Sequence, residues 1–198
     1  MNILLVNNDS DTWDELQKVT QAAGHKVTPV HHSLIHTVNP IYYDLAILSG
    51  GFWYTNQVDL LDEYADELQF IMVAPIPILG ICIGMQLMHV AVNQAVPLMD
   101  DPQSGDKEIT VNEIGRKLTG FPEKMVVHKN HTRAIIETDP HFEILASSPT
   151  FTEMMRHRTK PLLGVQFHPE VGEQAESVAM LKALIAALVT KQRDPIWQ

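Results

Sequence analysis

The stretch Ile78-Leu79-Gly80-Ile81-Cys82-Ile83-Gly84-Met85-Gln86-Leu87-Met88 constrains this chain more than any other. It opens as an apolar run and closes with apolar residues at helical spacing. Between the two stands Gly80-Ile81-Cys82-Ile83-Gly84, a sharp strand-to-helix turn with the pattern of a nucleophile elbow, carrying sulfur where a serine oxygen often stands. Glycines on either side leave room for a strained backbone and for close contact of helix on strand. The side chain at the apex is predicted to stand above the end of a strand. The first turn of the helix there offers free N–H groups and a positive dipole end. Both stabilise a thiolate and, later in a reaction, an oxyanion.

Cys82 is the only cysteine. A lone cysteine is often no more than a buried apolar residue. A second motif argues against that here. In Gly164-Val165-Gln166-Phe167-His168-Pro169-Glu170 the run Leu162–Phe167 reads as a buried strand leading to an exposed end. His168 and Glu170 are two apart, so in extended backbone they point to the same side. Pro169 keeps the chain between them extended. A carboxylate beside an imidazole fixes its tautomer and keeps it basic enough to take a proton from a thiol. Cys82, His168 and Glu170 are therefore the candidate catalytic residues.

Composition narrows the classes of function. The 198 residues suit one domain spanning 1–198 with a sizeable core. The formal charge of −10 argues against nucleic acid or an anionic membrane as the main partner. No apolar stretch is long enough to span a bilayer. The start, Met1-Asn2-Ile3-Leu4-Leu5-Val6, reads as a core strand and not as a secretion signal. One cysteine forms no internal disulfide, and a working thiolate suits a reducing compartment, so a cytoplasmic location is expected.

Taken in order, Ile3–Val6 reads as a strand buried on both faces. A polar turn follows, in which Asp9, Ser10 or Asp11 caps a helix from about Thr12 to Ala23. Val27–Val30 is a second strand. His31, His32 and His36 beside it read as loop histidines, because no carboxylate or cysteine stands at ligand spacing nearby. Tyr43–Leu48 is a third strand, ending at Ser49-Gly50-Gly51, a turn that lets backbone N–H groups approach a ligand. Asp59–Leu68 is an amphipathic helix, and the elbow helix runs from about Gly84 to Gln94. Asp100–Asp106 is acidic and turn-rich and reads as a mobile loop within 97–107. Short strands are expected at Ile109–Ile114, Lys124–Val127, Arg133–Glu137, Ile144–Ala146 and Thr152–Met155. A final helix spans Gln174 to about Lys191. Alternating strand and helix with sites at strand ends gives an α/β, doubly wound fold. Its central sheet is mostly parallel, with helices on both faces and a small antiparallel excursion.

These motifs resemble the class I glutamine amidotransferases in their triad-type glutaminase domain. The resemblance rests on Gly80-Ile-Cys82-Ile-Gly84-Met-Gln86, on Gly164-Val-Gln-Phe-His168-Pro-Glu170 and on Leu48-Ser49-Gly50-Gly51, in the family's order along nearly the whole chain. It implies that L-glutamine is the substrate and that its side-chain amide is hydrolysed through a cysteinyl thioester. No metal or organic cofactor is implied. By the same resemblance, backbone N–H groups of Gly51 and Ile83 form the oxyanion hole, and Gly50, Gln86, His131 and Thr132 contact substrate. Where the family continues with proline or glycine after Gly51, this chain has Phe52-Trp53-Tyr54, a rim or a partner surface. The ammonia is expected to pass to a synthase subunit on a separate chain, since no nucleotide-binding glycine loop stands in this one.

Two branches compete for that partner. Ser49-Gly50-Gly51 and the region His141–Val171 resemble the glutaminase subunit of a two-chain GMP synthase. Asn8-Asp9-Ser10-x-Thr12 resembles the glutaminase subunit of anthranilate or aminodeoxychorismate synthase. A stand-alone γ-glutamyl hydrolase and a non-catalytic regulatory relative are the remaining readings, the last opposed by the intact Cys82, His168 and Glu170.

Overall fold

The structure, a computed structural model, describes residues 1–52 and 57–190. Of the expected aromatic run, Trp53 and Tyr54 lie outside the described residues. The strands are β1 (Asn2–Asn8), β2 (Lys26–His31), β3 (Leu45–Gly51), β4 (Ile78–Ile81), β5 (Leu98–Val111), β6 (Lys124–Arg133), β7 (Phe142–Ser147), β8 (Thr152–His157) and β9 (Leu162–Val165). The helices are α1 (Trp13–Ala22), α2 (Gln57–Glu63), α3 (Ala65–Val73), α4 (Ile83–Val90), α5 (Glu113–Thr119) and α6 (Gln174–Thr190). Among the described residues no helix is long and apolar enough to cross a membrane.

One sheet of nine strands runs through the described residues in the order β2-β1-β3-β4-β9-β8-β7-β5-β6. From β2 to β9 neighbouring strands are parallel. From β9 to β6 they are antiparallel. The antiparallel strands thus continue the parallel sheet.

The apolar runs explain the layering. Successive residues of a strand face opposite sides. Ile3 and Leu5 of β1, with Ile47 of β3 and Leu79 of β4, join one buried layer with Leu16 and Val19 of α1 and Leu181, Leu184 and Ile185 of α6. Leu4 and Val6, with Leu48 and Ile78, join the other with Leu60, Phe70 and Ile71 of α2 and α3 and with Met85, Leu87 and Met88 of α4. Helices therefore cover both faces, as runs of unbroken apolar residues require.

Several elements differ from expectation. The helix expected at Asp59–Leu68 is two helices, α2 and α3, meeting at Tyr64, whose ψ of 17° breaks the helical path. The apolar run Phe70–Val73 belongs to α3. The elbow helix ends at Val90, not Gln94. Asp100–Asp106 is no mobile loop but part of β5, paired with β6 from Gln103 opposite His131 to Thr110 opposite Lys124. That pair is exposed along most of its length, so its strands lack the apolar alternation that marks a half-buried strand. β6 also runs unbroken through His128–Thr132, which puts His131 and Thr132 on a strand. The expected strand at Arg133–Glu137 is absent: β6 ends at Arg133. α5 was not foreseen, although it is well marked. Asn112 caps it by accepting from Gly115 N–H at 2.8 Å, and Gly120 ends it with φ +75°.

The helix that follows the elbow sits unusually low on the sheet. All of Ile83–Val90 is buried. A Cβ on Gly84 would stand 2.6 Å from the Leu48 carbonyl oxygen, and one on Gly80 2.6 Å from the Gly84 carbonyl carbon. Both obstacles are backbone, which yields little. Gly84→Ala is expected to destabilise the chain by about 3 kcal/mol, read as a lowered midpoint in urea unfolding. An unchanged midpoint would contradict the close packing of α4 on β3.

Candidate active site

The carboxyl ends of the parallel strands share one edge of the sheet, and the elbow is built there. β4 stops at Ile81 and α4 starts at Ile83. Cys82 makes the junction with φ +51° and ψ −106°, a conformation that a residue with a side chain rarely adopts. It is held from both sides: its N–H donates to Val165 O of β9 at 2.8 Å, and its carbonyl accepts from Gln86 N–H at 3.0 Å. Cys82 is 4 % exposed.

β9 delivers the partner groups. Beyond Val165 the chain continues to His168, whose N–H donates to His128 O of β6 at 2.9 Å. The imidazole and the Glu170 carboxylate are both buried, and His168 Nδ1 lies 2.8 Å from Glu170 Oε1. That contact fixes the proton on Nδ1 and leaves Nε2 as the basic nitrogen. Nε2 makes no hydrogen bond of ordinary geometry among the described residues. It interacts with the Cys82 thiol at longer range, a looseness common before substrate is bound. Burial alone would lower the basicity of His168. The Cys82 thiol and the Glu170 carboxylate outweigh it and hold the imidazole well above its ordinary pKa of 6.5. Cys82, His168 and Glu170 are thus brought together as their spacing predicted.

The glycine turn at the end of β3 packs against the same groups. A Cβ on Gly50 would stand 2.8 Å from His168 Cε1, so Gly50 lies against the imidazole ring. A Cβ on Gly51 would stand 1.9 Å from the Asn8 carbonyl oxygen. Gly51, Phe52, Cys82, Ile83, Gln86, Asn130, His131, Thr132 and Arg133 line a cleft of about 390 Å³ over the thiol. Gly51, Ile83, Gln86, His131 and Thr132 therefore meet at one cleft, and Gly50 stands behind it against His168.

The structure adds detail that spacing did not carry. The Gln86 amide nitrogen donates to Arg133 O at 2.9 Å and to Gln166 Oε1 at 3.0 Å, so both its hydrogens are engaged. His131 Nδ1 is 3.0 Å from the same Arg133 carbonyl. Burial first of all drives the His131 pKa down to about 4, so the ring is neutral and its Nε2 is an acceptor with no partner among the described residues.

Four groups went unforeseen as parts of the site. Gln166 Nε2 lies 3.6 Å from the Cys82 sulfur. Gln166 is two residues before His168, the one signal that could have placed it on the same face. Thr12, at the N-cap position of α1, makes no capping bond with its side chain. Its hydroxyl donates instead to Glu170 Oε1 at 2.6 Å and lies 3.0 Å from Ser10 Oγ. Behind the glycine turn, Asn8 Nδ2 donates to Ser49 O and to Glu67 Oε1, both at 3.2 Å, while Ser49 Oγ accepts from Asn8 N–H at 2.9 Å and donates to Gly50 O at 2.7 Å. Glu67 lies on α3, and nothing in its local sequence points to the site.

The comparisons with known proteins agree with this geometry. The profile of the family described as "Glutamine amidotransferase class-I" matches residues 4–187. The chain belongs to that family. It is accordingly a glutamine amidotransferase. A Methanococcus maripaludis protein, named as a glutamine-hydrolyzing subunit of GMP synthase, is 31% identical over 184 residues, covering 91% of this chain and 93% of that one. The glutamine-hydrolyzing GMP synthase of Listeria welshimeri is 38% identical over 138 residues, which are 69% of this chain and 26% of that one. The present chain thus matches about a quarter of the longer Listeria protein. Among solved structures, a Thermoplasma acidophilum protein assigned as a GMP synthase subunit superposes with a TM-score of 0.84 at 25% identity, covering 97% of this chain and 96% of that one.

Glu67 supplies a test of the network behind the glycine turn. Complete burial pushes its pKa up to about 8, and the Asn8 hydrogen bond only partly offsets the shift. In the unfolded chain the carboxyl ionises near its ordinary 4.5. Between those two values the folded state holds one proton more, so stability falls as pH rises, by at most about 1.4 kcal/mol per pH unit. In Glu67→Gln this dependence is removed. The expected outcome is that the variant gains stability relative to the parent between about pH 5.5 and 7.5, measured by urea unfolding at each pH. Parallel pH profiles for the two proteins would refute the buried neutral carboxyl.

Proposed function

We propose that this chain hydrolyses the side-chain amide of L-glutamine at Cys82 and supplies the ammonia to a synthase subunit on another polypeptide, in a two-chain GMP synthase. The observation that carries the chemistry is the 2.8 Å contact of His168 Nδ1 with Glu170 Oε1 beside a thiol held at an elbow. What favours the GMP synthase reading is the match along nearly the full length of the Methanococcus relative, which is named as the glutamine-hydrolyzing subunit of that enzyme.

In this reading His168 Nε2 takes the proton of Cys82, and Glu170 stabilises the imidazolium that forms. Thr12 holds the shared Glu170 oxygen from its other side. The thiolate attacks the amide carbon. The oxyanion is met by the backbone N–H groups of Ile83, in the first turn of α4, and of Gly51. Each such donor lowers the barrier by about 3 kcal/mol. His168 then protonates the leaving nitrogen, ammonia departs, and a γ-glutamyl thioester remains on Cys82. Water activated by His168 cleaves the thioester to glutamate.

Gln86, His131 and Thr132 hold the substrate in the cleft over the thiol. Because the Gln86 hydrogens are engaged, Gln86 offers its oxygen, and neutral His131 offers an acceptor nitrogen; both suit the α-ammonium of glutamine. Gly50 acts on substrate through its packing against His168. A thiol that must stay reduced suits a cytoplasmic location.

The test joins the purified chain to the synthase subunit of a two-chain GMP synthase. Glutamine-dependent GMP formation is expected. Cys82→Ser should lower glutamate release by about 10⁴-fold while added ammonium salt still supports GMP formation. Thr12→Val should lower kcat by about tenfold with little change in KM, since it acts through Glu170. Glutamate release that survives Cys82→Ser would sink the nucleophile assignment. Release of glutamate without GMP under any nitrogen source would sink the partner assignment alone.

A further inference from the structure

We propose that Asp9, His31 and His32 form a binding site for one divalent transition-metal ion of the zinc type, separate from the cleft over Cys82. The sequence alone argued against this, because no carboxylate stands near the histidines along the chain. The fold supplies one. β1 and β2 are parallel neighbours, with Asn7 opposite His31, so the residue that leaves the end of β1 stands beside the histidines that leave the end of β2. One ligand atom from each of the three residues lies within 4.8 Å of the other two.

The distances suit an ion. Asp9 Oδ1 is 3.1 Å from His31 Nε2, and Asp9 Oδ2 is 3.8 Å from His32 Nε2. Ligands about 2.0–2.1 Å from a tetrahedral centre stand about 3.3 Å apart, which these two values bracket. The second distance is too long for a hydrogen bond. His32 therefore turns its nitrogen to a carboxylate oxygen without bonding it, although it is 5 % exposed. Burial lowers the pKa of His32, which keeps the ring neutral as a metal ligand must be.

The surroundings orient both rings. His32 stacks on Tyr64 with ring centres 4.5 Å apart, and the His31 ring centre lies 4.3 Å from that of His32. His31 Nδ1 is 2.8 Å from Ser33 Oγ. Without an ion, Nδ1 accepts from Ser33 N–H and the proton sits on Nε2, facing Asp9. With an ion, that proton moves to Nδ1, Ser33 Oγ accepts it, and the Nε2 lone pair is released to the metal. A hydroxyl behind a ligating imidazole can serve as the outer support of such a site. Asp9 itself adopts φ +59°, which turns its carboxylate toward the histidines, and its side chain is 65% exposed, leaving a route for the ion and room for water at the fourth position. Two imidazoles and one carboxylate favour zinc, cobalt, nickel or copper over magnesium and calcium, which take oxygen.

The thiol and imidazole at Cys82 and His168 would also attract zinc, so the test uses the full chain carrying Cys82→Ser. After removal of metal with a chelator, Zn²⁺ is titrated by calorimetry and Co²⁺ by visible absorption. One ion per chain is expected, with a cobalt spectrum of low coordination number. His31→Gln and Asp9→Asn, both at partly exposed positions that the fold tolerates, should each weaken binding at least tenfold. His36→Gln, whose partner is Asp66, should leave it unchanged. Absence of a stoichiometric ion at millimolar Zn²⁺, or equal binding by the parent, His31→Gln and Asp9→Asn proteins, would overturn the proposal.

Discussion

The descent of α4 onto the sheet is the constraint on which the site depends. A helix that begins immediately after a strand must turn within one residue, and here that residue is Cys82 at φ +51°. Such a conformation costs on the order of 1–3 kcal/mol and survives only where its surroundings over-determine it. They do so here. The Cys82 N–H and carbonyl are both engaged, and Met85 presses against Gly164, where a Cβ would meet its Cγ at 2.6 Å. Gly80, Gly84 and Gly164 are small for one shared reason: the helix start and three strands occupy the space that side chains would need. The thiol is thereby fixed in place before any substrate arrives, and the first N–H groups of the helix are fixed with it.

The two halves of the sheet divide the work of forming the cleft. Parallel strands bring the ends of β1, β3, β4 and β9 to one edge, so residues far apart in sequence become neighbours. Asn8, Gly51, Cys82 and His168 meet in this way. The antiparallel half adds the opposite wall. β6 carries Asn130, His131, Thr132 and Arg133 across the mouth of the cleft and accepts from the His168 N–H with its His128 carbonyl. β8 stands between, and its Glu153 pairs with the buried Lys129 of β6 while the Glu153 carbonyl accepts from Gln166 N–H at 2.9 Å. That ion pair ties the wall to the strand that delivers His168. Its positive end, after burial itself, helps to keep His131 neutral.

The legible parts of this arrangement are those set by local pattern. The elbow, the His168-Pro169-Glu170 unit and the apolar runs of β1, β3, β4 and β9 each lie within a few residues, and the α/β class follows from their alternation. What escaped is set by tertiary neighbours. Glu67 on α3 reads as an ordinary helix acid, because only the docking of α3 beside β1 buries it against Asn8. Thr12 reads as the start of a helix, whereas its hydroxyl serves Glu170, 158 residues later. β5 reads as a loop because both its faces are polar, and its pairing comes from β6 rather than from burial. Tyr64 interrupts a pattern that spacing alone continues, since helical periodicity persists across a break that preserves phase.

The polar groups at the carboxyl edge also carry an energetic tension. A buried neutral carboxyl at Glu67, a buried Lys129–Glu153 pair and a strained Cys82 all oppose folding relative to apolar replacements. Each unsatisfied buried polar atom costs about 1–3 kcal/mol, and Glu67 Oε2, Asn8 Oδ1, Glu153 Oε2 and Glu170 Oε2 are all such atoms among the described residues. These four gather behind the glycine turn, beneath β6 and beside His168, at the one edge where backbone must be held against its own preference. The two apolar layers on the sheet faces contain no comparable group along β4, whose Ile78–Ile81 are fully apolar and buried. Stability is thus concentrated in the middle of the sheet, and its costs are concentrated at the end that carries Cys82.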